Sequence, residues 1–287
     1  MAAIYKKEVR SYFTSMIGCV FIAFALVIIG LYFFANNLYG GYPYFGYSLS
    51  ATIAVFMILI PILTMKSMAD DRRQKTDQML LTAPVTTWQI IFAKYLAMVT
   101  VFLVPVCVML FYPLIMAAYG TISYAMAYAS IFGFALMGFL GIAVGMFISS
   151  LTESQVISAV LTFLILFASY MAESIADMIP STAWVSMAAF IILILAVALI
   201  VHSMTQSTLL GGGVAVIGVA VILILYFMDS TSFQGAFGDL ISSLSLTGHF
   251  YNFASGIIDI PGIIYYLSGS FLFIFLADQA VEKRRWC

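Results

Sequence analysis

The residues best equipped for chemistry lie in one polar stretch. Lys66, Asp70, Asp71, Arg72, Arg73, Lys75, Thr76 and Asp77 carry charge and hydroxyl groups in a chain that is otherwise mostly apolar. Their chemistry is that of charge pairing with a partner. Asp71 and Lys75 stand four apart in the order that favours a helix. Met79, Leu80 and Leu81 then present an apolar surface. Pro84 must end any helix at or before Ala83. Thr86 or Thr87 can cap a new helix beginning near Trp88. The segment 68–88 therefore reads as a short helix, a break, and a re-entry into an apolar run. An exposed apolar cluster beside charge is a candidate docking surface. The simpler reading of Arg72, Arg73 and Lys75 is a positive anchor at a membrane edge, but an anchor does not need Leu80 and Leu81.

Other chemistries find no support. Gly211, Gly212 and Gly213 are followed by apolar residues, with no Lys to reach a phosphate, so they are expected to allow close helix packing. There is no H-E-x-x-H pattern, and His202 and His249 are expected on opposite sides of a bilayer, where they cannot share a metal. Cys19, Cys107 and Cys287 have neither disulfide nor metal-ligand spacing. No catalytic cluster lies at membrane depth, so the chain is not expected to be an enzyme. Asp278 and Glu282 lie one turn apart near the end of the last apolar run, where side chains can reach headgroups. Ion-coupled transporters usually carry charged groups deeper than this. If the chain transports, another subunit must supply the energy.

The elements that position these residues are membrane helices. Hydrophobic residues make up 64% of the 287 and charged residues 8%, against about 25% charged in a soluble domain. The net charge of -1 argues against a nucleic-acid partner. Spans of about 20 apolar residues are expected near 14–35, 48–67, 95–118, 122–149, 154–172, 184–202, 209–228 and 262–281. The first is too long for a signal-peptide core and reads as a retained span. The fold class is thus an all-α polytopic membrane protein, one transmembrane domain over 1–287 with eight spans. The pair at 184–228 is the weakest. All 11 Lys and Arg residues can lie on one side of this arrangement, which marks the cytoplasm and puts both termini there.

Residues 1–13 suit an amphipathic helix in the interface. Tyr5, Val9, Tyr12, Phe13 and Met16 recur at helical spacing, while Lys6, Lys7 and Arg10 point elsewhere, towards anionic lipid headgroups. Gly141, Gly145 and Ser149 form a small-residue series that permits close helix contact, within the subunit or between subunits. Pro61, Pro105 and Pro113 should bend their spans. The outer loops carry acids without bases, and the longest is 229–261.

The polar stretch resembles the coupling region of ABC-2 (exporter-type) ABC transporter permeases. The shared features are Asp71-Arg72-Arg73, Thr76, Leu80-Leu81, Pro84-Val85 and Lys94, although Asp71 stands where that family often has Glu. The C-terminal part, with His249-Phe250, Phe253, Gly256-Ile257-Ile258-Asp259, Tyr265-Tyr266-Leu267 and Glu282 to Trp286, resembles the subgroup named for gliding motility. The apolar hairpin at 184–228 departs from the family's six-span core. The resemblance implies a multi-pass permease of the bacterial cytoplasmic membrane. It would pair with a second, identical or related permease over two ABC ATP-binding subunits, and an accessory extracellular subunit can join them. Asp71, Arg72, Arg73, Lys75, Thr76, Leu80, Leu81, Pro84 and Trp88 would couple to the ATPase, with the helix of Lys6, Lys7 and Arg10 as a second contact. ATP and Mg would bind the ATPase and not this chain. Gly256 and Asp259 would belong to a re-entrant outer gate. The alternative is a membrane anchor that recruits an ATPase for signalling or mechanical work without transport.

Overall fold

The computed structural model describes residues 1–75, 85–205, 208–228 and 231–286. Thr76, Leu80, Leu81 and Pro84 lie outside the described residues, as does Asp229. The described residues form helices α1 (Ala2–Thr14), α2 (Met16–Tyr32), α3 (Phe45–Thr64), α4 (Ala69–Arg73), α5 (Thr87–Met109), α6 (Tyr112–Ala117), α7 (Tyr124–Leu151), α8 (Gln155–Met178), α9 (Ala183–Thr205), α10 (Thr208–Met228), α11 (Ala236–Ser243), α12 (Leu246–Ala254) and α13 (Ile260–Trp286). A π-helical segment, Phe33–Tyr39, continues α2. Among the described residues no strand occurs.

Six helical stretches are long and apolar enough to cross a membrane among the described residues: Met16–Tyr39, Phe45–Arg73, Thr87–Ala117, Tyr124–Leu151, Gln155–Met178 and Ile260–Lys283. Ala183–Leu199 and Ala215–Met228 are shorter apolar helices. The third of the six begins eight residues earlier than its apolar run suggests, because Thr86 caps it by accepting from the Gln89 amide at 3.4 Å. A cap satisfies an orphan amide that a purely apolar start would leave exposed. Pro113 does not lie inside this span's main helix. It occupies the first turn of α6, after a break at Leu110 and Phe111, where a missing amide costs nothing.

The chain divides into two compact units, Met1–Ala168 with His249–Cys287, and Ser169–Gly248. In the first, α7 is the central helix and packs against α3, α5 and α13. Glycine lets α3 come close: a Cβ at Gly145 would collide with the Thr64 hydroxyl, and one at Gly141 would lie 2.9 Å from Ile60. The small-residue series of α7 thus serves packing within the subunit. Phe56, Phe102 and Phe134 fill the space between α3, α5 and α7, with Phe56 and Phe134 edge-to-face at 4.8 Å.

In the second unit α9 and α10 pack on each other. The close approach falls at Gly218, where a Cβ would meet Ile194 at 2.6 Å. Open space surrounds Gly212 and Gly213 instead, so the expectation that the triple glycine brings helices together is not met there. Phe190 of α9 holds Phe233 and Phe237 edge-to-face, at 6.1 and 5.4 Å. The Ser169 hydroxyl, on α8, donates to the Leu244 carbonyl at 2.7 Å and accepts from the Leu246 amide at 3.1 Å. It thereby satisfies the non-helical backbone between α11 and α12.

Candidate functional site

Lys94 organises the polar end of the first unit. It is the eighth residue of α5 and its side chain is only 3% exposed. A buried ammonium is tolerated only when each donor is paired. Lys94 Nζ donates to Asp71 Oδ2 at 2.5 Å, to the Ser67 carbonyl at 2.9 Å and to Glu8 Oε1 at 3.2 Å. Three donors meet three acceptors, and the acceptors come from α1, the turn after α3, and α4.

The rest of α4 is held just as locally. The Ser149 hydroxyl, near the end of α7, accepts from the amides of Met68 and Ala69, both at 3.1 Å. These are first-turn amides with no partner inside α4. Asp70 Oδ1 accepts from Gln155 of α8 at 2.8 Å and from Gln74 at 3.1 Å. Arg72 pairs with Glu153 at 2.7 Å and donates to the Leu151 carbonyl at 3.2 Å, closing the C-terminal end of α7. A helix of five residues has little stability of its own. Here α1, α5, α7 and the start of α8 hold it in place.

Of the residues expected to couple, Asp71 and Arg72 are drawn inward, while Arg73 and Lys75 are exposed. The helical register for an Asp71–Lys75 pair does not persist, because α4 ends at Arg73 and Lys75 has φ +58°. Trp88 faces the other way, stacked on Phe92 at 6.1 Å and edge-on to Phe271 of α13 at 5.9 Å. It fastens the start of α5 to the last helix.

Helix α1 is set against α5 and α2. Lys6, Lys7 and Arg10 are exposed, as a basic outer face requires. Tyr5 hydrogen-bonds Thr100 at 2.8 Å, and Tyr12 is buried with its hydroxyl donating to the Leu63 carbonyl at 3.4 Å. Burial, with the nearby carboxylates of Glu8 and Asp71, pushes the Tyr12 phenol well above its ordinary value. Phe13 and Met16 are both exposed, and the extended backbone of Ser15 breaks the helix between them, so Met16 does not continue the stripe of α1.

Glu8, Ser149 and the inward turn of Lys94 were not visible in the sequence pattern. Glu8 reads as one acid within a basic segment, and 86 residues separate it from its lysine. Ser149 reads as one more small residue in the glycine series. Only the close approach that Gly145 allows brings its hydroxyl to α4.

The other end of this unit contains Gly256 and Asp259. Gly256, at φ +83°, ends α12: its amide donates to the Phe253 carbonyl and the Ile257 amide to the Asn252 carbonyl, both at 2.9 Å. This pairing closes a helix C-terminus around a left-handed residue. Asn252 donates to Asp259 Oδ2 at 3.0 Å, bracing the turn into α13. Phe253 is fully buried against Gly133, and His249 lies flat on Tyr265 at 4.3 Å. Among the described residues no group of His, Cys, Asp and Glu could hold a metal ion.

The profile of a family described as ABC-2 family transporter protein matches residues 36–187, more than half of the chain. The chain belongs to the ABC-2 transporter family. No curated protein and no solved structure matches it. Membership makes it a multi-pass transmembrane subunit of an ABC transporter and implies an ABC ATP-binding subunit as its partner. The matched ABC-2 segment contains α4, Lys94 and Ser149. It leaves out α1, which contributes Glu8, and α13.

Proposed function

We propose that the chain is the membrane-spanning permease of an ATP-driven exporter and that segment 68–88 docks onto a separate ATPase subunit. The observation that carries this reading is the fixation of α4. A short charged helix clamped by Lys94, Ser149 and Arg72 cannot move without moving α1, α5 and α7. ATP binding closes the ATPase dimer, and pressure on the loop reaches the spans through this bistable interface. Exposed Arg73 and Lys75, with Leu80 and Leu81, supply the contact. The basic face of α1 supplies a second. ATP and Mg stay with the partner, and this chain performs no hydrolysis.

The distribution of Lys and Arg supports a cytoplasmic position for this end and for both termini, in a bacterial cytoplasmic membrane crossed eight times. A second permease copy or a related chain completes the pathway. The C-terminal residue pattern supports the gliding-motility subgroup.

The segment 229–261 re-enters the membrane from outside and forms the gate. Ser169 lies nine residues before the end of α8, about 13 Å along the helix. Irregular backbone at such depth must be satisfied by protein, and the Ser169 hydroxyl meets that need at Leu244 and Leu246. Cysteines placed along 245–260 should react unevenly with a water-soluble thiol reagent. Uniform reaction would exclude re-entry.

Docking is tested by replacing Leu80 and Leu81 with Asp. The variant should insert in the membrane and fail to co-purify the ATPase. Assembly at normal stoichiometry would show that the dock lies elsewhere.

A further inference from the structure

Beside the Lys94 clamp a cleft of about 210 Å³ opens between α1 and the α3–α4 turn. Its charged lining is balanced, with Lys7, Lys66 and Lys94 against Glu8, Asp70 and Asp71. The two signs lie at different depths. Side chains of Glu8 and Asp70 are 14% and 15% exposed, while Lys66 is 36% exposed and Lys7 lies on the surface. Lys94 is deeper still, but its three donors are already engaged. Lys66 also pairs with Asp70 Oδ2 at 3.8 Å, so the inner wall offers the remaining acceptor capacity of Glu8 and Asp70, and the mouth offers the ammonium of Lys7 beside that of Lys66.

Ser67 adds an independent sign of a missing ligand. It lines the cleft and is 5% exposed, and its hydroxyl oxygen is buried without a hydrogen-bond partner. Buried hydroxyls are almost always partnered, by protein or by a bound group. Some buried hydroxyls here bond a carbonyl of the preceding turn, as Thr64 does with Ile60 at 3.0 Å; Ser158, Thr162 and Ser186 lack a partner as Ser67 does, and of these four Ser67 lines the cleft.

We propose that this cleft binds the headgroup of phosphatidylethanolamine. The headgroup's primary ammonium enters, donating to Glu8, Asp70 and the Ser67 hydroxyl. Its phosphate remains at the mouth between Lys7 and Lys66. A choline headgroup has no N–H to donate. A glycerol headgroup has no positive end for the acidic inner wall. A metal ion is disfavoured, because these carboxylates do not converge as a ligand set. The cleft lies beside α1, whose exposed Lys6, Lys7 and Arg10 suit a bilayer surface. The lipid would wedge α1 and α4 together at the clamp. The proposal requires only that this end meets the bilayer surface, and it stands whether or not segment 68–88 docks an ATPase.

The test is native mass spectrometry of the full-length chain in detergent, titrated with dioleoyl-phosphatidylethanolamine, -phosphatidylcholine and -phosphatidylglycerol. Phosphatidylethanolamine should bind about tenfold more tightly than phosphatidylcholine, the value of one charge-assisted hydrogen bond. Ser67→Val should remove most of this preference. Lys7→Glu, at an exposed position, should weaken phosphatidylethanolamine binding without unfolding the chain. Equal binding of the ethanolamine and choline lipids, a preference for phosphatidylglycerol, or phosphatidylethanolamine binding as tight in Lys7→Glu as in the wild type would overturn the proposal. So would competition by free O-phosphoethanolamine as strong as by the lipid, since the site would then take a soluble ligand.

Discussion

Lys94 and Asp71 meet at 2.5 Å, side chain to side chain, and this contact joins the first turns of a membrane helix to the short helix beside it. Glu8 completes the pairing from α1 at 3.2 Å. The lysine is buried at the polar end of the bundle, where its ammonium is paid for by two carboxylates and a carbonyl. Breaking such a buried pair costs far more than forming it contributes, because the remaining charge is stranded.

Lys94→Ala leaves Glu8 and Asp71 facing each other without a cation. Stability should fall by about 3–5 kcal/mol, read as a lower melting temperature of the purified protein in detergent. The triple variant with Glu8→Gln and Asp71→Asn should recover much of the loss. If Lys94→Ala melts like the wild type, the clamp is not formed in the membrane.

Ser149→Ala removes the acceptor of two helix-first-turn amides, those of Met68 and Ala69. The cost is about 1–3 kcal/mol, confined to the local order of α4. Hydrogen exchange should therefore rise over 68–75 while the centre of α7 stays protected. Exchange that rises equally throughout α7 would contradict this placement.

Gly145→Ala drives a methyl into Thr64. Overpacking of this kind costs about 1–3 kcal/mol. Thr64→Ala on its own leaves a small void, yet the double variant should be more stable than Gly145→Ala. Additive losses in the thermal melt would mean that the two residues do not touch.

Tyr12 predicts a pH dependence. Burial and the neighbouring carboxylates raise its phenol above the ordinary value of 10.0. The unfolded chain then loses this proton first, and stability falls as pH rises above about 10. Below that pH the contribution is fully present. Tyr12→Phe should show a shallower loss of melting temperature between pH 9 and 11 than the wild type. Parallel curves would argue that Tyr12 is solvated.

Much of the architecture was legible in the chain. Long apolar runs must become helices in a bilayer, because every backbone group needs an internal partner. Helices stand at all eight expected places, and among the described residues six of them are long and apolar enough to cross a membrane while those at 184–202 and 209–228 contain shorter apolar helices. Thr86 could be read as a cap, since an oxygen three residues before an orphan amide is a local signal. The polar stretch near Asp71 also stood out, because charge is rare in so apolar a chain.

Where long-range contact decides, composition gave no guide. Gly141 and Gly145 promised close packing without naming a partner, and the tertiary structure assigns them to α3. Gly212 and Gly213 carried the same promise and face open space, while Gly218 makes the contact with Ile194. A glycine only removes a side chain, and the neighbouring helix determines whether that room is used. Likewise, Lys94 reads locally as a basic residue at a membrane edge. It becomes a buried clamp because the fold brings Glu8 from 86 residues away and Asp71 from 23 residues away to the same nitrogen. Which segments are apolar and where charge collects can be read from the order of residues, since solvent partitioning depends on local composition. Which charges meet depends on how the helices pack, and that emerges only in the folded molecule.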